Sequence, residues 1–250
     1  MDFLFQGCGM RISLSRCLVA ISLWSSFSHA MPQASTDARY MTIAKQYEAE
    51  YFTRFPEWGL LEGRRDVALD YFSDTSYAAM QQWQRRENTY LSELDGLQSS
   101  SFQDPIQHTS YLLLKGHLER NKVRRICKES LWNVAPMMGW HTMATTIADI
   151  QPVDTPEHRR QAIVRWKQFP LWAKHEIHNL HLGLQQGYVA SKPAVERVIK
   201  QIELIVNNPI EDSPFYAMAE HANDPQFSDS IHGLIHHTIH PTLQQYLEYL

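Results

Sequence analysis

The chain has 250 residues, 44% of them hydrophobic and 20% charged, which is enough apolar material for one sizeable core and excludes a generally disordered chain. Its 23 basic and 27 acidic residues give a net charge of −4 at pH 7, a balance that lacks the basic footprint of a nucleic-acid binder. Two of the three cysteines, Cys8 and Cys17, fall in the first 17 residues, which excludes a disulfide-stapled fold.

The first thirty residues read as a leader. Arg11 and Arg16 precede a mostly apolar stretch, Leu18 to Phe27, and Ser28-His29-Ala30 then place small residues where a signal peptidase cuts. Met1 to Ala30 is therefore expected to be a secretory signal peptide, with Met10 as an alternative start, and residues 31–250 a single helical domain, periplasmic or secreted. The apolar run is far below the roughly 20 residues that span a bilayer, so no membrane segment is expected after cleavage. Neither Cys8 nor Cys17 is preceded by the residues of a lipoprotein cleavage site. Losing Arg11, Arg16 and Asp2 takes the basic and acidic totals to 21 and 26, net −5, and leaves Cys127 alone. Stability must then come from packing.

Helical period recurs almost everywhere beyond the leader and no run alternates convincingly, so the expected fold is all-α: an irregular bundle of about eight to ten helices with no significant sheet. Tyr40, Ile43, Ala44, Tyr47 and Tyr51 form the stripe of a first helix that stops at Phe55-Pro56, and a loop is expected after it. Ser73 to Ser76 supply caps for a helix to about Leu94 that carries Met80, Trp83, Tyr90 and Leu91. The serine-rich stretch Gly96 to Asp104 reads as a mobile surface connection, and Asp104-Pro105 start a helix to about Lys128. Arg120, Lys122, Arg124, Arg125 and Lys128, interleaved with Glu119 and Glu129, read as a solvated helix face. Pro136, Gly139 and two tryptophans between Trp132 and His141 suggest a buried joint.

Three helices with separate start signals follow. Thr155-Pro156-Glu157 opens one that carries Ala162, Ile163, Trp166 and Phe169 until Pro170 breaks or kinks it. The second has the stripe Ala173, Ile177, Leu180, Leu184 and Tyr188, weakened at Gly187. The third opens near Ser191-Pro193, buries Val195, Val198, Ile199, Ile202, Ile205 and Val206, and ends at Asn207-Asn208-Pro209. The chain closes with Ile231, Leu234, Ile235, Thr238 and Ile239, a kink at Pro241, then Leu243, Tyr246, Leu247 and Leu250. That closing apolar face either packs back on the domain or meets something that normally follows.

Candidate chemistry is sparse. His175-Glu176-Ile177-His178 approaches the H-E-x-x-H zinc motif, but Asn179 stands where the second histidine belongs, and His175 and His178 point away from the apolar stripe. His232, His236 and His240 are spaced one turn apart, with His237 beside them, yet three side chains on one helix rarely close a coordination shell. His175, His178, His232, His236 and His240 are weak metal candidates, and no catalytic or cofactor-binding residue stands out. There is no phosphate loop, nucleophile elbow or C-x-x-C, and the tryptophans read as packing.

Phe55-Pro56 through Leu60 and Gly63 to Leu69 and Ser73, Thr155-Pro156 to Phe169-Pro170, Asn179-Leu180 with Gly183 and Gly187, Lys192-Pro193 to Ile202, Ser213-Pro214-Phe215, and Pro241 to Leu250 together form an ordered series. In that order and spacing the chain resembles the bacterial secreted family catalogued as domain of unknown function 885, which is similar to zinc metallopeptidases of the gluzincin type. Family members are roughly twice as long, with H-E-x-x-H in the C-terminal half, beyond the point where this chain stops. The resemblance thus implies a non-catalytic N-terminal portion, truncated and inactive alone or served by a separate catalytic half. Zinc is expected only in that other half. The partner surface would be the apolar strip at Tyr246, Leu247 and Leu250. The alternative is a stand-alone periplasmic module that binds peptides or proteins, or acts as a scaffold.

Overall fold

The computed structural model describes residues 34–250, and the leader read over Met1–Ala30 lies outside them. Among the described residues there is no strand. Nine longer α-helices and two of six residues alternate with short 3-10 turns, which is the all-α multi-helix architecture expected.

A first, smaller core is built by α1 (Thr36–Arg54), α3 (Tyr77–Asp95) and α4 (Pro105–Arg124) around Tyr40, Tyr90, Leu94, Tyr111 and Leu118. Each helix begins where its cap stands: Ser35 accepts from the Ala38 amide, Ser76 from Ala79 and Asp104 from Ile106, so each offsets one orphan donor of the first turn. Residues Pro56–Leu61, expected as loop, form the short helix α2. Pro56 needs no amide partner at the first position, and the turn ends at Gly63, whose φ of +76° suits glycine. The stretch from Gly96 to Asp104 is not the mobile connection expected either. Leu97 is buried, Phe102 packs on Tyr40 and His108, and the Gln103 and Asp104 amides both donate to the Asp37 carboxylate at 3.1 Å.

The main core is larger and aromatic. It gathers α5 (Trp140–Ile150), α6 (Pro156–Trp166), α7 (Phe169–Gln185), α8 (Lys192–Asn207), α9 (Ala217–Ala222), α10 (Pro225–Leu234) and α11 (His240–Tyr249). Trp166, Phe169, Phe215, Ile202 and Tyr246 are almost fully enclosed, and the Trp140 and Tyr246 rings meet edge to face at 4.9 Å. Trp132 stays at the surface with its indole N–H on the Cys127 carbonyl, so it belongs to neither core. The break expected at Pro170 arrives earlier: α6 ends at Trp166, and Pro170 takes the first turn of α7, where its missing N–H costs nothing. A π-helical turn, Ile235–Ile239, joins α10 to α11 just before Pro241, and the widened turn absorbs the proline. Tyr246 faces inward, with Leu247 and Leu250 partly buried against the same core.

Two contacts set where the helices sit. Arg165 is fully buried and its guanidinium donates to the Tyr71 carbonyl at 2.9 Å, to Gln151 Oε1 at 2.8 Å and to the Ala68 carbonyl, tying the irregular stretch before α3 to α6. Gly183 lets α7 lie against the 3-10 turn Glu129–Leu131, because a Cβ there would stand 1.8 Å from the Leu131 carbonyl oxygen. Gly183→Ala must therefore push helix and turn apart, and we expect a loss of about 2–3 kcal/mol with a fall of roughly 5–10 °C in Tm. An unchanged melting curve would show that the turn yields freely.

Candidate functional site

Along α7, Trp172, Glu176, Asn179 and Gly183 follow one another at helical steps of four, three and four, so they share one face. Gly183 seats that face on the Leu131 turn, and Glu176 and Asn179 before it line a cleft of ≈ 410 Å³ where the two cores meet, while Trp172 is buried in the larger core. Trp83 and Glu87 of α3 and Asn121 of α4 form the opposite wall, Thr75 enters from the irregular stretch, and Lys128 to Asn133 make the rim. Lys128 sits at φ 46°, the left-handed turn that stops α4 from continuing to the residue 128 expected from its sequence.

The charges in this cleft are unevenly paired. Glu87, nearly buried, accepts from Arg125 at 2.8 Å and from Asn121 at 2.9 Å. Arg124 is held by Glu129 at 2.9 Å. No cationic side chain among the described residues reaches Glu176, and burial pushes its carboxyl up to about 7, opposed only by the Thr75 hydroxyl and the Trp172 indole N–H. Neither of those two atoms closes a hydrogen bond of good geometry. Glu176 is only partly buried in area, but dense protein surrounds its carboxyl, and its charge helps to raise the enclosed Tyr246 phenol. Asn179 is 1% exposed, spends its amide on the Thr75 carbonyl at 2.8 Å, and leaves Oδ1 without a donor.

A larger groove of ≈ 700 Å³ runs between α1 and α3, and three of its four charged side chains, Glu50, Arg54 and Arg86, already have partners. Arg86 is paired with Glu50, which it holds down to about 2, and Arg54 donates to the Asp74 carbonyl. The smaller cleft is the one bordered by enclosed polar atoms that lack a partner.

The five histidines singled out in the sequence are scattered. His175 lies 3.2 Å from Asp74 Oδ1, His178 is exposed, and His232 reaches Glu211 at 3.6 Å. His236 and His237 face each other in the π turn, Nδ1 to Nδ1 at 3.1 Å. His240 is partly buried with Nε2 unpartnered, and burial and His236 hold it below the ordinary imidazole range. The π turn takes the one-turn histidine repeat out of register. Among the described residues no three His, Cys, Asp or Glu side chains come together in a group that could hold a metal ion. The basic run between Arg120 and Lys128 is largely solvated as expected, except that Arg125 turns inward onto Glu87. Sequence reasoning passed over Glu176 and Asn179 as members of the histidine row. The signal that could have found them is the polar pair set between Trp172 and Gly183 on one face.

Among the described residues no helix is long and apolar enough to cross a membrane. The family model for bacterial proteins of unknown function (DUF885) matches residues 56–250. A solved structure, titled as that of "the putative lipoprotein from Colwellia psychrerythraea", is similar at a TM-score of 0.74 and 14% identity over 86% of this chain, a likeness of fold. The chain spans 41% of that structure's chain. Comparison with curated proteins gives no match.

The Glu176 carboxyl holds its proton more tightly in the native state than at its reference value of 4.5. Between pH 4.5 and about 7 the folded chain thus carries an extra proton, and stability that is full below 4.5 falls as pH rises through the native value. Glu176→Gln removes this term. Relative to wild type it is expected to gain roughly 2–3 kcal/mol between pH 5 and pH 8 in denaturant unfolding. A difference that stays constant with pH would mean the carboxyl titrates normally.

Proposed function

The chain belongs to the bacterial family of unknown function DUF885, and from that premise we propose that residues 34–250 are the substrate-holding, non-catalytic helical portion of an exported, peptidase-like protein. The observation that carries this reading is the cleft between α3, α4 and α7, bordered by buried polar atoms that have no partner among the described residues. A buried acceptor with no donor costs free energy, and a bound ligand that supplies the donor recovers it. A peptide suits such a cleft, because it brings amides, charges and apolar side chains to walls made of Asn121, Asn179, Glu176, Trp83 and Phe55.

The residues here would hold and orient a chain of substrate and exclude water from it. Zinc, which the resemblance to gluzincin peptidases implies, is assigned to protein outside these residues, and no step is routed through it here. The share of the solved neighbour that the chain spans, 41%, supports a longer whole. Export is supported by the leader pattern of Met1 to Ala30 and by the word lipoprotein in that neighbour's title.

A second reading, a stand-alone periplasmic module that binds a peptide or protein, is favoured by an apolar groove lined by Trp132, Leu180, Leu184, Val189 and Leu250, in which Leu184 is 55% exposed.

Purified residues 31–250, free of any affinity tag, are expected to melt cooperatively, to carry no stoichiometric zinc and to cleave no peptide. Stoichiometric zinc with hydrolysis that disappears in His175→Ala or His232→Ala would overturn the non-catalytic reading.

A further inference from the structure

Three carboxylates border the cleft between α3, α4 and α7, and two of them are neutralised where they stand, Glu87 by Arg125 and Glu129 by Arg124. Glu176 has no cation paired to it among the described residues. The basic groups around it are committed elsewhere. Arg54 donates to the Asp74 carbonyl, and His175, next to Glu176 in sequence, turns to the Asp74 carboxylate at 3.2 Å. Lys128 is held on Gln186 Oε1 at 3.1 Å and over the Tyr188 ring, about three helical turns along α7 from Glu176. From α11 the Tyr246 phenol faces the same carboxyl, and burial together with the Glu176 charge keeps that phenol protonated.

Glu176 is also the accessible group of its neighbourhood. It is only partly buried in area and lines the cleft, whereas Asn179 Oδ1 and Thr75 Oγ1 are enclosed. Thr75, beside Glu176, leads into α3, whose first two turns bring Met80 and Trp83 to the same cleft. The Trp83 ring meets Phe55 edge to face at 5.4 Å, so the lining near the carboxyl is apolar and aromatic. Such a wall suits the methylene stem and flat guanidinium of an arginine, or the stem of a lysine. A small inorganic cation needs several oxygen ligands and would find Glu176 as its one unpaired carboxylate.

We infer that Glu176 is the specificity-determining residue of this cleft and receives a basic side chain, arginine or lysine, from a bound peptide, with the stem against Met80, Trp83 and Phe55. This deepens the peptide-holding reading above and rests on it. A guanidinium fork on the carboxylate supplies the missing charge, and a neutral side chain of the same shape does not. Because burial favours the protonated carboxyl, the incoming cation displaces that proton, which leaves to solvent.

The test is calorimetric titration of the purified protein with two tripeptides blocked at both ends, alanyl-arginyl-alanine and alanyl-citrullyl-alanine. Their middle residues carry a guanidinium and its neutral urea isostere. Wild type is expected to bind the arginine peptide ~10- to 100-fold more tightly, as a hydrogen-bonded charge implies. That affinity should rise about tenfold per pH unit as pH climbs toward about 7, and the displaced proton should appear as a binding heat that depends on the buffer. Glu176→Gln should bind the two peptides equally, without the proton release, while it melts no lower than wild type. Equal affinity of wild type for both peptides, or an arginine preference that survives in Glu176→Gln, overturns the basic-side-chain inference and leaves the peptide-holding reading in place. If neither peptide binds, both fall.

Discussion

The stretch from Arg64 to Ser76 has no regular secondary structure, and the molecule depends on how its backbone is satisfied. A buried carbonyl without a partner is costly, and here the partners are side chains borrowed from helices far along the chain. Arg165 takes the Ala68 and Tyr71 carbonyls, Gln151 faces that of Leu69 at 3.4 Å, Gln168 binds that of Asp70 at 2.8 Å, and Asn179 binds that of Thr75. From the other side, Glu57 accepts from the Ser73 amide at 2.7 Å and from its hydroxyl. Burial pulls Arg165 down to about 10, so the guanidinium remains charged at neutral pH, and its charge is spread over carbonyl dipoles and the Phe72 ring in place of a single carboxylate. The stretch fixes Thr75 in the cleft and joins the smaller core to the larger one.

The cleft lies along that seam. Inside either core the apolar contacts are continuous and aromatic, and polar groups collect where the two surfaces fail to interlock. Most are neutralised in place, as Glu87 and Arg125 are. Glu176 is the exception, held among Trp172, Thr75 and the Tyr246 phenol with no cation from the described residues paired to it. An uncompensated carboxyl in the interior is a standing cost to the fold, and such costs concentrate where a ligand is expected to supply the missing partner.

Much of the architecture was legible in the sequence because it is local. The capping residues Ser76, Asp104 and Thr155 mark their helices correctly, and Val198 and Ile202, at helical spacing, are buried as their period requires. What failed was tertiary. Gly96 to Asp104 looks like a free loop by composition, yet Leu97, Phe102 and the acceptor Asp37, more than sixty residues away, pin it. Leu184 continues the apolar stripe of α7 in period but stands 55% exposed, since Gly183 beside it makes the close contact. The cleft was harder still. Its members come from positions 75, 87, 125, 128, 176 and 179, and nothing in the spacing of any one helix shows that Glu176 would lack a counter-ion. A glutamate and an asparagine in a histidine-rich helix look like a solvated face until their neighbours in space are known.

The bonds that hold the irregular stretch span 94 residues from Arg165 to Tyr71 and 104 from Asn179 to Thr75. A chain made from its N-terminus therefore exposes these carbonyls to water through the synthesis of about a hundred further residues. The first three large helices can associate through contacts among themselves before the rest of the chain is made, while the seam closes only when α6 and α7 have emerged. Loop-closure entropy makes that joining slow compared with helix formation, so the cleft acquires its shape later than the smaller core that forms one of its walls.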